Sequence, residues 1–182
     1  MGELSNIIEN RKWDVLVETG TGMGMAVIFA QKSRLFKKIY SFEINEKLYY
    51  ISKALEDSKT EIYNMPSVEG LDFILPKISK KDKILFWLDA HYPGADFQLG
   101  AYDEEKDENI RLPLIEELKA IKKHRTGKDT VYIDDLRIYT EMSDERKPKG
   151  STTIKDIKAV LDSTHTFDII EKDELYGVFK PR

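Results

Sequence analysis

Apolar and polar positions along the chain alternate between two regimes. Short runs rich in β-branched and aromatic residues are followed by stretches in which apolar positions recur every three or four residues, the order expected of β-α-β units building a parallel sheet. The first run, Trp13 to Glu18, predicts a strand leading into a glycine-rich turn and a helix around Met25 to Phe36. A second strand is predicted at Lys38 to Glu43, after which Asn45 is placed to cap a helix reaching about Asp57. Thr60 to Asn64 predicts a short third strand before a helix near Val68 to Ile78. Lys83 to Asp89 is almost wholly apolar, as a strand covered on both faces must be, and so belongs at the centre of the sheet.

The pattern breaks between His91 and Arg111, where Pro93, Gly94, Gly100 and six acidic residues replace periodicity. Long unpatterned loops in compact domains are usually functional lids or disordered segments. This one is read as a lid, with Tyr92, Phe97 and Tyr102 as aromatic walls. The helix that follows, Leu112 to His124, carries Leu114, Ile115, Leu118 and Ile121 on one stripe. A fifth strand is predicted at Thr130 to Asp135, then a polar stretch from Glu141 to Gly150, then a helix capped by Ser151 or Thr152 and running through Leu161. Thr166 to Lys180 reads as two strands around a turn near Lys172 to Glu174, an antiparallel hairpin at the edge of the sheet. The expected architecture is α/β and Rossmann-like, a mostly parallel seven-stranded sheet with helices on both faces, residues 1–182 forming a single domain.

Composition excludes several classes of function. With 29 Lys plus Arg against 33 Asp plus Glu, the net charge is −4, which argues against a partner recognised by phosphate neutralisation, nucleic acid above all. There is no cysteine, hence no disulfide, thiolate nucleophile or Cys-ligated zinc, which fits a cytoplasmic protein. No apolar run is long enough to span a bilayer, so no membrane role is expected.

The sharpest local signal is Glu18-Thr19-Gly20-Thr21-Gly22-Met23-Gly24 at the end of the first strand. Glycines there allow backbone angles closed to other residues and let a ligand approach the chain. Glu43, at the tip of strand two, stands 23 residues after Gly20, where an acidic side chain can accept from ribose hydroxyls. This E-x-G-x-G-x-G turn with a second acidic residue resembles the class I S-adenosylmethionine-dependent methyltransferases, and the likeness extends to the terminal hairpin. The resemblance implies that Glu18, Gly20, Thr21, Gly22 and Gly24 face the methionine portion of S-adenosylmethionine and that Glu43 holds the ribose. It implies too that a small polar residue after strand three, Ser67 by position with Asn64 and Met65 as neighbours, approaches adenine. Ser67 could equally cap its helix.

Asp89, His91 and Tyr92 follow strand four, and Asp134-Asp135 end strand five. Neighbouring parallel strands open their carboxyl ends into one crevice. Three carboxylates there repel unless protonated or bridged by a cation, and Mg²⁺ is the economical solution. The set resembles the metal-dependent O-methyltransferases of the catechol and antibiotic-sugar kinds. That likeness implies Asp89, Asp134 and Asp135 as metal ligands and Asp89 as part of the cofactor and catalytic site. The lysine base of catechol-type enzymes is replaced here by Ala90-His91-Tyr92-Pro93, leaving His91 as the candidate base, its ordinary pKa suiting proton removal near neutrality. Arg137 either holds an anionic substrate group or pairs with Asp134 or Asp135. His124 and His165 read as structural.

The expected activity is transfer of a methyl group to a hydroxyl of a small molecule or sugar. A non-catalytic S-adenosylmethionine-binding regulator is the main alternative. A nicotinamide-dependent oxidoreductase fits the glycine spacing less well. Tyr49 and Tyr50 are candidate contacts of a homodimer.

Overall fold

A computed structural model of the chain describes residues 4–101, 105, 107–140 and 152–182. Five parallel strands form its backbone: β1 (Trp13–Thr19), β2 (Phe36–Glu43), β3 (Thr60–Asn64), β4 (Ile84–Leu88) and β5 (Thr130–Ile133). The antiparallel pair β6 (His165–Glu171) and β7 (Leu175–Pro181) closes one side, and the spatial order is β3-β2-β1-β4-β5-β7-β6. This is the mostly parallel seven-stranded sheet with a terminal hairpin that the hydrophobic pattern predicts. The chain runs outward from β1 to β3 and then returns to β4 on the other side of β1. That reversal opens a crevice at the carboxyl ends of β1 and β4, where ligands of open α/β sheets bind.

Helices cover both faces. Leu16, Ile39, Leu85, Trp87 and Tyr132 point to the face packed by α1 (Leu4–Ile7) and α2 (Met25–Ser33). Val15, Val17, Phe86, Val131 and Ile133 point to the face packed by α4 (Ser67–Ile74), α6 (Leu114–His124) and α7 (Ile154–Leu161). The short helix α3 (Glu46–Ser52) is capped by Asn45, whose side chain accepts from the Lys47 and Leu48 amides. No helix among the described residues is long and apolar enough to cross a membrane.

The boundaries differ from the pattern where local chemistry intervenes. The helix expected to reach Phe36 ends at Ser33, because Arg34 turns left-handed at φ 56° and Phe36 already begins β2. The helices expected to reach Asp57 and Ile78 tighten into 3-10 turns at Lys53–Leu55 and Leu75–Lys77, the second around Pro76, which cannot continue an α-helical ladder. Thr153, not Ser151 or Thr152, caps α7, in a reciprocal box with Asp156. The polar stretch 141–151 and Tyr102 lie outside the described residues.

The segment expected to be an unstructured lid contains a 3-10 turn at Ala95–Phe97 and the short helix α5 (Glu108–Arg111). The Tyr92 amide donates to the Arg111 carbonyl at 2.9 Å, tying the two ends of the segment together. Tyr92 itself is buried with Ala95, Leu112 and Ile138.

Candidate functional site

Hydrogen bonds beyond the strand ends hold the sheet's carboxyl tips in a row. The Gly20 and Thr21 amides donate to the Phe42 carbonyl (2.9 and 3.2 Å), Asp89 to Thr19 (3.1 Å), and Asp134 to Leu88 (2.9 Å). The acidic residues at these tips are thereby brought to one end of the molecule.

At the β1–β2 side, Gly20, Gly22 and Gly24 all have positive φ, at 76°, 53° and 79°, so every second residue of the turn is left-handed. It curls around Glu43, which accepts from the Gly22 amide through Oε2 (2.8 Å) and from the Asn45 amide through Oε1 (2.7 Å). A carboxylate has about four acceptor positions, so these bonds fix Glu43 and leave capacity for further donors. Glu18 is 1% exposed. It accepts from the Ser41 hydroxyl, which in turn meets Thr21 Oγ1 at 2.6 Å. Burial, aided by the charges of Asp89 and Glu43, pushes the Glu18 carboxyl well above the usual carboxylate range.

At the β4–β5 side the structure corrects the expected grouping. Asp89, His91 and Asp135 each offer a ligand atom, and these lie within 4.8 Å of one another. Asp134 is outside that group. Its Oδ1 accepts from the Asp135 amide (2.9 Å), and its Oδ2 is buried with no hydrogen-bond partner. Burial, with repulsion from Asp89 and Asp135, pushes the Asp134 carboxyl up to about 8. His91 takes the vacated place, its Nε2 lying 3.2 Å from Asp89 Oδ1 and 3.2 Å from Asp135 Oδ2. Burial would lower its pKa, but the two carboxylates raise it well above the ordinary imidazole value. The two carboxylates thus favour the protonated form of His91. Arg137 pairs with Asp135 (3.0 Å) and with Glu174 (3.0 Å) rather than with Asp134.

The donor set fits a divalent cation. Bonds of about 2.1 Å in octahedral geometry separate neighbouring ligand atoms by about 3.0 Å, close to the two 3.2 Å separations found. One imidazole nitrogen with two carboxylates moves the preference from Mg²⁺, expected for oxygen ligands alone, toward Mn²⁺ or Zn²⁺.

The β1–β2 cluster and, from the β4–β5 side, Asp89 and His91 line one cavity of about 1200 Å³, with Glu18, Gly20, Glu43 and Ser67 among its other walls. Phe97, from the covering segment, reaches Gly22 closely enough that a Cβ there would lie 2.9 Å from its Cζ. Of the positions flanking β3, Ser67 and Met65 line the cavity, whereas the Asn64 side chain donates to the carbonyls of Glu43 and Ile44. Pro66 stands at the N-cap of α4 and Ser67 is its first helical residue, so the capping role open to Ser67 is not taken. His124 meets Asp72 on the surface, and His165 bonds Thr164 and the Asp129 carbonyl.

One residue of the site escapes the sequence reading. Glu117, on α6, is 1% exposed, and burial pushes its carboxyl up to about 7. The legible signal is an acid at the i+3 position from Leu114, on the apolar stripe.

No protein-family model matches the chain, and no curated protein sequence matches it. Solved structures do resemble it. An O-methyltransferase of tomaymycin synthesis from Streptomyces achromogenes, bound to S-adenosylmethionine, superposes with a TM-score of 0.62 at 10% identity, over 94% of this chain and 74% of that one. A Listeria monocytogenes protein assigned as an S-adenosylmethionine-dependent methyltransferase gives 0.59 at 11% identity, over 98% and 95%. A Staphylococcus aureus protein assigned as a caffeoyl-CoA O-methyltransferase gives 0.58 at 14%, over 92% and 76%. At such identities the likeness is one of fold: the chain has the Rossmann-like architecture found in S-adenosylmethionine-dependent methyltransferases.

Proposed function

We propose that the protein is an S-adenosylmethionine-dependent methyltransferase that methylates a hydroxyl oxygen of a small molecule or sugar, with a divalent cation at Asp89, His91 and Asp135. The observation that carries this reading is that the glycine turn with its two acids lines one cavity together with Asp89 and His91, which Asp135 joins in a compact Asp-His-Asp group.

In this reading Glu43, fixed by two backbone amides, uses its remaining lone pairs for the ribose hydroxyls. Glu18 faces the ammonium end of the methionine portion, where a buried carboxylate gains a partner. Thr21 and Ser41 orient Glu18, and the left-handed turn at Gly20 and Gly22 lets the cofactor lie against backbone. Gly24 opens α2, and Ser67 faces adenine. Bound S-adenosylmethionine supplies an electrophilic sulfonium methyl, and the cation acidifies and orients the acceptor hydroxyl. Asp89, its side chain 25% exposed and the most open of the three, would accept the hydroxyl proton. His91 would serve as one of the ligands of the cation. Phe97 and the Ala95–Phe97 turn exclude water from the glycine turn.

Isothermal titration with S-adenosylhomocysteine tests the cofactor site, and micromolar affinity is expected; absence of binding overturns the reading. Methyl transfer from labelled cofactor to a library of hydroxyl compounds, with and without EDTA, tests the rest. Turnover that chelation abolishes and Mn²⁺ restores supports the full proposal, while binding without any turnover favours a regulatory cofactor-binding protein.

A further inference from the structure

The helix α2 opens with an unbroken apolar run, Met25 to Ala30. A helix lying on a sheet needs one apolar stripe and ordinarily carries polar residues opposite, so a second apolar face requires a cover of its own. Val27 and Ala30, both buried, supply the stripe that packs on the sheet. Met25 and Ile28 line the cavity instead, and Phe29 divides its surface between the cavity and the core beneath. Met25 is 62% exposed, and Met23, on the glycine turn beside it, also lines the cavity and is 45% exposed. Positions 25, 28, 29 and 32 stand at i, i+3, i+4 and i+7, so these three side chains and Lys32 share one face of the helix. Nothing among the described residues covers that face.

Lys32 gives the face a direction. Seven residues at about 1.5 Å each set it about 10 Å along the helix axis from Met25. It lines the same cavity, and among the described residues it makes no ion pair. The other charged walls, His91 apart, are carboxyls, Glu18, Glu43, Asp89 and Asp107 among them. An anionic group entering the cavity is repelled by those walls and attracted by Lys32. We infer that the methyl acceptor is an amphiphilic hydroxy acid, with its carboxylate at Lys32, an apolar body along Met25, Ile28 and Phe29, and its hydroxyl toward Asp89 and His91. A sugar would set hydroxyls against the apolar face of α2, where they find no partner. This deepens the proposal above by naming the acceptor class, and it rests on that proposal's placement of the reacting hydroxyl. Lys32 and Met25 are then specificity-determining residues.

The test is isothermal titration of the protein, saturated with S-adenosylhomocysteine, with ω-hydroxyhexanoate, ω-hydroxydecanoate, the methyl ester of the latter and methyl glucoside. Each buried methylene is worth about three- to fourfold in affinity, so the decanoate should bind at least about tenfold more tightly than the hexanoate. The acid should bind about fivefold more tightly than its ester, as expected of a solvent-exposed charge contact. Lys32→Gln should bring that ratio close to one without changing S-adenosylhomocysteine affinity, and Lys32→Arg should restore it. Met25→Gln should lower the gain from chain length severalfold while keeping the acid-to-ester ratio. Both side chains are exposed, so neither change threatens the fold. A lysine placed only to meet the negative end of α2 would leave the ratio untouched by its replacement. Equal binding of the two chain lengths, an acid-to-ester ratio unmoved in Lys32→Gln, or methyl glucoside bound as tightly as the decanoate overturns the inference while the cofactor site stands. Failure of the wild-type protein to bind S-adenosylhomocysteine overturns the cofactor reading itself.

Discussion

Gly20 and Gly22 look alike in the sequence, yet the structure assigns them opposite tolerance to a methyl group. Both are left-handed, at φ 76° and 53°, so Gly→Ala costs each about 1–2 kcal/mol in backbone strain. The difference lies in what the new Cβ meets. At Gly20 it would stand 2.4 Å from the Asp89 carbonyl oxygen, 2.7 Å from the Asp89 carbonyl carbon and 2.9 Å from the Ala90 nitrogen, all backbone. Ordinary contact begins near 3.4 Å, so the β4 tip must retreat by about 1 Å. That retreat loosens the amide bonds from Asp89 to Thr19 and from Asp134 to Leu88, each worth about 1 kcal/mol. The total loss for Gly20→Ala is therefore about 3–4 kcal/mol. At Gly22 the neighbours are Phe97 Cζ and Cε2, at 2.9 and 3.1 Å, the far end of a side chain that can swing aside. Gly22→Ala should cost only the strain, about 1–2 kcal/mol. Urea unfolding of the two variants measures these losses, and titration with S-adenosylhomocysteine measures the site. Gly20→Ala should lose most of its affinity because the row of strand tips is disturbed, and Gly22→Ala should lose about tenfold or less. Equal destabilisation by the two alanines would refute the claim that the β1 and β4 tips are packed backbone to backbone.

Further expectations concern the two carboxylate clusters and the opposite end of the sheet. Mn²⁺ affinity, read by electron paramagnetic resonance, should fall by more than about 100-fold in His91→Ala and Asp135→Asn but far less in Asp134→Asn, whose side chain stands outside the ligand group. Burial pushes the Glu117 carboxyl up to about 7 from the ordinary 4.5, so its protonated form favours the fold. Stability should accordingly be highest below about pH 4.5 as far as this group is concerned and decline by at most about 3 kcal/mol through pH 7. Glu117→Gln, which cannot titrate, should flatten that part of a series of urea midpoints. Arg125 is clamped to buried Asp129 at 2.7 Å and also donates to the carbonyls of Ser79 and Asp82. Arg125→Ala strands that carboxylate and should cost about 3–5 kcal/mol in urea unfolding, while leaving S-adenosylhomocysteine affinity unchanged in the folded protein.

The elements were legible because each is carried by its own period and punctuation. An unbroken apolar run marks β4 as central, and Asn45 announces α3 by the chemistry of its side chain. What the pattern could not resolve is where a side chain points once the strand has ended. Asp134 and Asp135 are equivalent in sequence, both following β5, and only the backbone angle at Asp135 separates the one that joins Asp89 from the one that does not. His91 was visible as a titratable residue near the acids, but its role depends on a distance to Asp135, 44 positions away in the chain. Glu117 was hidden for a different reason. In an amphipathic helix beginning Leu114-Ile115-Glu116-Glu117, two adjacent acids read as solvated, and the 3.6-residue period alone places the second of them on the buried face.

Backbone strain gives an independent argument that the Asp-His-Asp group is the centre of the site. Among the described residues, four that are not glycine have positive φ, and two of them adjoin His91, Tyr92 at 42° in sequence and Asp135 at 45° in space. Each such conformation costs about 1–3 kcal/mol and persists only where the surroundings enforce it. They do so here. Tyr92 is buried against Ala95, Leu112 and Ile138, and Asp135 opens a 3-10 turn whose Leu136 and Ile138 are buried. Burying each such side chain yields about 1.5–3 kcal/mol, enough to offset the strain. A regular continuation of β5 would have sent consecutive acids to opposite sides of the sheet. The left-handed turn at Asp135 instead lets one acid stay beneath the tip, bonded to the next amide, while the other reaches His91. The fold spends packing energy to bring two carboxylates and an imidazole within 4.8 Å. Like charges held that close are stable only with a cation or a proton between them. In the metal-free protein the two carboxylates favour a proton on His91, and binding of a divalent ion should therefore release one proton, measurable as a dependence of the titration heat on buffer ionisation enthalpy. A heat of Mn²⁺ binding that is the same in buffers of widely different ionisation enthalpy would show that His91 is neutral beforehand.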